Sequence, residues 1–318
     1  KKKKKKLLYL IIMLFIISLI SFIAINLAPN SFFASGELNP NITPEAIEEL
    51  KAIYGLDKPL YIQFFSWIYS ILQLDFGISF TSGEKVKEEI LSRIPITLTI
   101  NIVSMLLIFI ISLYFGIKSA MKKNSIFDRF TNQLSLLSFS MPSFYLALVL
   151  VLVFSIKFEL FPIAGLHSVP NDGSLNYYLD FAWHLTLPIF IIVFGGIGSL
   201  ILYIRALTIE ILKSDYIFFA RARGLDNKKI LRYYILPNLY PPVITLLGLS
   251  LPGIIGGSVI LETIFSIDGM GLLFYQSALS HDYPVIMGIL IIGAFLTLIG
   301  NMFADLILLK LNPNYNEK

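Results

Sequence analysis

The residues that most often carry chemistry are thinly spread in this chain. There is no cysteine, which excludes disulfides, thiolate metal sites and cysteine nucleophiles. The three histidines, His167, His184 and His281, are far apart in the sequence and fall in or near loops. A histidine metal site would need the fold to gather its ligands, so all three read first as ordinary residues of loop and helix ends, and no metal site is expected. No G-x-x-x-x-G-K-[ST] loop is present, so the chain has no such means of holding and hydrolysing ATP. H-E-x-x-H and G-x-S-x-G are missing too, and no catalytic residue is assigned.

What the sequence does concentrate is apolar length. Of 318 residues, 56% are hydrophobic and 14% charged, against about 25% charged in a soluble domain. A bilayer core about 30 Å thick needs about 20 apolar residues in helix. Six stretches qualify: residues 7–28, 95–117, 134–156, 185–205, 241–261 and 284–309. The first has a basic start, Lys1–Lys6, but its apolar run exceeds the roughly 7–15 residues of a cleavable signal, so it is expected to remain as a span.

Basic residues orient the spans. With the N-terminus inside, the inner segments hold Lys1–Lys6, then Lys118, Lys122, Lys123 and Arg129, then seven residues from Arg205 to Arg232, then Lys310 and Lys318. Only Lys51, Lys58, Lys85, Lys87, Arg93 and Lys157 fall outside. The expected fold is an all-α polytopic membrane protein of six transmembrane helices with both termini cytoplasmic. Its parts are residues 1–28 (lysines and first span), 29–94 (external cap), 95–309 (core with spans two to six) and 310–318 (cytoplasmic tail). In the cap, Thr43 and Pro44 open a helix that Gly55 ends.

Charge is nearly missing from mid-span. Asp305 and Arg205 lie near inner ends and Glu262 near an outer end, which suits interfacial placement or a local ion pair. Ion-coupled transport through buried carboxylates has little support. Glycines at 195–198 and the pair Gly253 and Gly257 allow close helix packing or a gating face. Pro142, Pro188 and Pro252 should kink the spans.

One inner segment, 207–238, is more than a topology signal. Ser214 or Asp215 suits an N-cap, and Gly224 a left-handed helix stop. Asp226 or Asn227 can cap a second short helix, "KKILRYYIL", which Pro237 should end. The result is a two-helix knob with an apolar side (Ile217, Phe218, Ala220, Leu225, Ile230, Leu231) and a basic side.

"DYIFFARARGL…ILRYYILPN" resembles the cytoplasmic coupling loop of ABC importer permeases, with Ala220, Gly224, Leu236 and Pro237 at the pattern positions. Phe218 and Phe219 replace the usual glutamate and alanine, and Tyr234 the usual isoleucine. "YGLDKPLYIQFFSWIYSILQLDFGISF", "SMPSF", "LFPIAG", "ETIFSIDGMG", "DYPVIMG" and "LNPN" resemble the dipeptide, oligopeptide and nickel branch, with Asp268 where that branch has proline. The resemblance implies a non-catalytic type I importer permease in a bacterial inner membrane. Its partners would be a second permease, the same or different, two ATPases that hold ATP and Mg, an external substrate-binding protein and membrane lipid, with no nucleic acid. Tyr216, Ala220, Arg221, Arg223, Gly224, Leu225, Leu236 and Pro237 would form the surface that an ATPase grips. A stand-alone secondary transporter or channel, or a membrane enzyme or scaffold, are the alternatives to it.

Overall fold

The computed structural model describes residues 12–23, 58–250 and 258–311, with backbone alone for 303–311. Lys1–Lys6, the expected cap helix from Thr43 to Gly55, Pro252, Gly253, Gly257 and the tail 312–318 lie outside the described residues, as do the side chains of Asp305 and Lys310. Among the described residues the chain is helix and turn, with a single isolated antiparallel bridge between Ile78 and Lys85. Three of the described helices are long and apolar enough to cross a membrane: Val86–Met121, Leu175–Leu212 and Tyr283–Met302. A fourth candidate is a bent pair, Ile126–Ser140 followed by Ser143–Lys157, whose halves meet at 99°.

The chain divides into two compact units, one of residues 1–97 with 268–299, the other of residues 98–267 with 300–318. In the first, α1 (Ile12–Ile23) and α2 (Leu60–Leu72) pack through aromatic rings. Phe22 and Phe64 meet edge to face at 5.4 Å, with Trp67 and Met287 in the same cluster. Helix α3 (Val86–Met121) starts nine residues before Pro95, the expected span start, and runs straight through that proline. Its first turns pack Val86 and Ile90 against Met270, Leu273 and Val285.

The same unit holds a turn with a buried acid, Asp282, at its root. Asp282 accepts from Ser79 Oγ at 2.5 Å, from the Phe80 N–H at 3.2 Å and from the Thr81 N–H at 3.1 Å. Asp268, the departure from the family pattern, accepts from Arg93 Nε at 2.7 Å. One residue pair beyond it, the Met270 N–H donates to Thr97 Oγ1 at 2.9 Å. An ion pair and a capping hydroxyl thus fix the turn that a proline would stiffen.

In the second unit, α4 (Ile126–Ser140) ends at Met141, and Pro142 caps the start of α5 (Ser143–Leu150). A π-helical turn, Val151–Lys157, continues α5. The expected third span, 134–156, is therefore two helices. Proline pushes the residue before it out of helical geometry, and Met141 sits at ψ 119°. Helix α6 (Leu175–Leu212) begins ten residues before the expected span, capped by Ser174, whose hydroxyl accepts from the Tyr177 N–H. Pro188 lies inside it without ending it.

Helices α4 and α6 pack through small polar residues. A Cβ on Gly198 would stand 2.5 Å from the Ser135 carbonyl oxygen and 2.8 Å from Ser138 Oγ, so only glycine permits this approach. The Gly198 N–H also donates to Ser138 Oγ at 3.1 Å, and that hydroxyl donates to the Phe194 carbonyl.

Candidate functional site

The knob is built as its local signals dictate. After α6, Ser214 is the N-cap of α7 (Asp215–Ala222), although its hydroxyl turns back to the Ile211 carbonyl at 2.5 Å. The helix ends in a complete Schellman motif. The Gly224 N–H donates to the Arg221 carbonyl at 2.9 Å, and the Leu225 N–H to the Ala220 carbonyl at 3.2 Å. Gly224 takes φ +78°, the left-handed value that this closure needs. The alanine–glycine–leucine spacing is thus explained: Ala220 is the buried C3 position, Gly224 the C′ turn and Leu225 the C″ residue whose N–H closes the loop.

Asp226 Oδ1 then accepts from the Lys229 N–H at 3.0 Å and caps α8 (Asn227–Ile230). Here the sequence expectation fails. The second helix does not stop at Pro237. It passes through a π turn, Leu231–Ile235, into α9 (Leu236–Ser250), which contains Pro237, Pro241 and Pro242. The Leu236 N–H donates to the Leu231 carbonyl, five residues back. The wider π ring shifts the register just before Pro237, so the missing proline N–H falls where the hydrogen-bond ladder changes step. Asn238 Nδ2 donates to the Tyr234 carbonyl at 2.7 Å, a further bond beside that step.

Burial divides the knob in two. Ile217, Ile230 and Ile235 join one packed cluster with Phe109 and Ile117 of α3, Ile204 of α6, and Leu239 and Val243 of α9. Leu225, Leu231, Tyr234 and Leu236 pack against it. Tyr216 lies nearly parallel to Tyr234, with ring centroids 6.3 Å apart. Phe218 is a correction to the expected apolar side: it is 69% exposed, and Phe219 62%. At 100° per residue, Ile217 and Ala220 share the inward face while Phe218 and Phe219 point away. Beside these rings, Arg221, Arg223, Lys228, Lys229 and Arg232 are exposed, as are Gly224 and Pro237. No atom lies within 4 Å of where a Cβ on Gly224 would sit.

A clamp that the sequence alone did not reveal stands near the lower end of α6. Arg205 donates to Asp128 of α4 through both arms, Nε to Oδ1 at 2.7 Å and Nη2 to Oδ2 at 2.9 Å. Ser119 of α3 donates its hydroxyl to the same carboxylate, and the Asn124 N–H adds a bond at 2.9 Å. Three helices are tied at one buried acid. The local signal was Ser125-x-x-Asp128, a helix-start pattern; Arg205, expected at an interface or in a local ion pair, finds its partner 77 residues away.

Two of the three histidines, His167 and His184, come together at Asp180. His184 Nδ1 lies 2.8 Å from the Asp180 carbonyl oxygen and its Nε2 3.1 Å from Ser168 Oγ. His167 stacks on Tyr177, centroids 3.8 Å apart, and approaches Asp180 at 3.7 Å. Among the described residues no group of three or more His, Asp or Glu side chains is arranged to hold a metal ion.

Two family models match this chain over most of its length. One, described as the binding-protein-dependent transport system inner membrane component, covers residues 110–317. The other, the N-terminal part of the same membrane component, covers residues 4–101. The chain belongs to this family. The family's segment thus includes the whole knob, the Arg205 clamp and the α4–α6 packing. The chain is similar to the oligopeptide transport system permease protein AppB of Bacillus subtilis, 35% identical over 93% of each chain. It is 32% identical to the dipeptide transport system permease protein DppB of Lactococcus lactis, over 94% of each. The metal-staphylopine import system permease protein CntB of Staphylococcus aureus is 32% identical over 87% of this chain and 85% of its own.

Proposed function

We propose that the chain is the membrane-spanning permease subunit of an ABC importer for peptides or peptide-like metal chelates, seated in a bacterial inner membrane. In this reading six helices cross the bilayer, both termini face the cytoplasm, and the knob 214–237 projects into the cytoplasm. A second permease completes the pathway, two ATPases supply the drive, and an external binding protein delivers cargo to the outer turns. The chain itself performs no catalysis; ATP and Mg belong to the ATPases.

The observation that carries the proposal is the two-faced knob. Its inner face is welded to α3, α6 and α9, so a push on it is a push on those helices. The outer face presents two exposed phenylalanines among arginines and lysines, the composition of a docking surface whose apolar centre gives affinity and whose charged rim gives orientation. Phe218, Phe219, Tyr216, Arg221 and Arg223 would seat in a groove on one ATPase. Closure of the ATPase pair would then carry the knob as a rigid body and switch the bundle from inward-open to outward-open.

The test is co-purification with the ATPases followed by uptake in proteoliposomes. Phe218→Glu with Phe219→Glu is expected to abolish ATPase retention while leaving membrane insertion intact. Retention and ATP-driven uptake at the unsubstituted level would overturn the docking assignment. Ion-gradient-driven transport by the chain alone would instead favour a stand-alone carrier.

A further inference from the structure

The turn between α3 and α4 is a closed corner with its positive charge turned outward. Helix α3 ends at Met121, and the Ser125 N–H closes the turn on the Lys122 carbonyl at 3.0 Å. Ser125 then caps α4, its hydroxyl accepting from the Asp128 N–H at 3.2 Å. Asp128 is the one acid between Lys118 and Phe130. It is buried in the bidentate pair with Arg205, so its charge is balanced inside the protein. Lys122, Lys123 and Arg129 are exposed, and none of them meets an acid among the described residues. Lys118 adds a fourth cation in a fixed place. Its ammonium donates to Tyr114 Oη at 2.5 Å and lies 4.7 Å from the ring centroids of both Tyr114 and Phe127. Aromatic faces attract an ammonium but leave its charge uncancelled.

An apolar stripe starts at this corner. Ile126 is 86% exposed and Phe130, one turn on, 55%. Leu137 lies on the same side of the helix and is exposed too. The other face of α4 is polar and inward: Asp128, Thr131, Ser135 and Ser138 are buried, the last two against Gly198 of α6. A helix of a soluble protein turns its apolar stripe to the core. Here the stripe faces away from it, as a surface against hydrocarbon would.

We infer that this corner binds an anionic phospholipid of the inner leaflet, with Lys122, Lys123 and Arg129 around the headgroup phosphate and Ile126 and Phe130 against the acyl chains. The inference rests on the permease reading, which puts this turn at the cytoplasmic face, and it names a lipid partner for that face. The order of the features favours lipid: cations at one end of an apolar stripe match a molecule with a phosphate at one end of its hydrocarbon. A protein partner would have to bring acids to the end of its own apolar face. Asp128 ties the corner to Arg205 of α6, the helix that leads into the knob, so a lipid held here steadies that helix end.

The test uses the assembled importer, with both permeases and both ATPases, stripped of lipid in detergent. It is titrated with phosphatidylglycerol or phosphatidylcholine, and native mass spectrometry counts the bound lipids. A basic residue at an anionic surface contributes about fivefold to binding. Lys122→Gln, Lys123→Gln and Arg129→Gln should therefore each lower phosphatidylglycerol affinity about fivefold, and the triple variant should lose the preference over phosphatidylcholine. The swap Lys122→Arg, Lys123→Arg and Arg129→Lys keeps the charge and should keep the preference. Lys85→Gln with Lys87→Gln and Lys157→Gln removes three cations elsewhere and should also keep it. Ile126→Gln with Phe130→Gln should weaken both lipids. An impermeant maleimide should reach Lys123→Cys, a lone thiol in this cysteine-free chain, only from the cytoplasmic side.

An unchanged preference in the triple glutamine variant overturns the inference. So does an equal loss in the charge-keeping swap or in the variant of Lys85, Lys87 and Lys157, because fold or net charge would then be the cause. Loss of the second permease on Ile126→Gln with Phe130→Gln would show a protein on this face, and displacement of the lipid by inorganic phosphate alone would show a plain anion site; either result overturns it. Labelling of Lys123→Cys from outside overturns the inner-leaflet placement. Transport is read separately: if the unsubstituted complex imports no peptide with ATP in any lipid, the permease reading falls, whereas the lipid preference is measured in detergent without transport.

Discussion

Substitution of Gly224 separates two ways in which a glycine matters. The residue sits at φ +78°, and an added Cβ would meet nothing within 4 Å. The cost inside this chain is therefore backbone strain alone, about 1–2 kcal/mol for a residue with a Cβ in the left-handed region. Asn and Asp adopt that region more readily, so their strain lies at or below about 1 kcal/mol. The opposing stabilisation is larger. Burial of Ile217 and Ile230 alone contributes about 1.5–3 kcal/mol each. Gly224→Ala, →Asn, →Asp and →Val should accordingly all insert, fold and melt within a few degrees of the parent. If coupling depends only on the Schellman turn, uptake per ATP falls in the order Asn, Ala, Val, following strain. If an ATPase groove presses on the open side of Gly224, Asn and Asp fail too despite low strain, and ATP hydrolysis continues without transport. The docked-knob reading expects the second pattern, with Gly224→Asp the most uncoupled. The assay is the ratio of tri-alanine imported to ATP hydrolysed in proteoliposomes. A normal ratio for both Gly224→Asp and Gly224→Val would refute the reasoning, because neither turn shape nor surface fit could then matter.

Three further outcomes follow from packing. Asp128→Ala leaves Arg205 without its bidentate partner; the loss should be about 3 kcal/mol, at the low end for a broken buried pair because the Arg205 side chain is 21% exposed. Thermal unfolding of the purified protein measures it, and Asp128→Ala with Arg205→Met should recover part of the loss. Gly198→Ala should destabilise by about 2–3 kcal/mol because the Ser135 carbonyl oxygen cannot rotate away. Gly195→Ala, three residues earlier and facing open space, should be neutral or gain up to about 1 kcal/mol of helix propensity in the same assay. Asp282→Ala should loosen the Ser79–Ser82 turn by removing an acceptor of the Phe80 and Thr81 N–H groups, at about 1–3 kcal/mol; limited proteolysis should cut there sooner, and an unchanged cleavage rate would mean that the turn is held by other contacts.

The parts of the knob that could be read from sequence are those whose cause is local. Gly224 and Asp226 act within five residues, through a left-handed turn and a side-chain cap, and Ser214 takes the N-cap position although its hydroxyl bonds back to Ile211. The apolar face was half legible: Ile217, Ala220 and Ile230 obey helical spacing, whereas Phe218 does not, and it was drawn inward only by its hydrophobicity. Pro237 misled for a related reason. Proline ends a helix when the ladder ahead of it is α-helical, and no local signal announced that residues 231–235 would widen into a π turn. The pairing of Asp128 with Arg205 lay beyond reach because it is set by side chains brought from different helices. The division is physically informative. A docking knob must hold its shape while its partner comes and goes, so its turns are closed by neighbouring residues and survive as sequence patterns. Contacts set between helices, such as Arg205 on Asp128, join residues far apart in the chain, so no single segment records them.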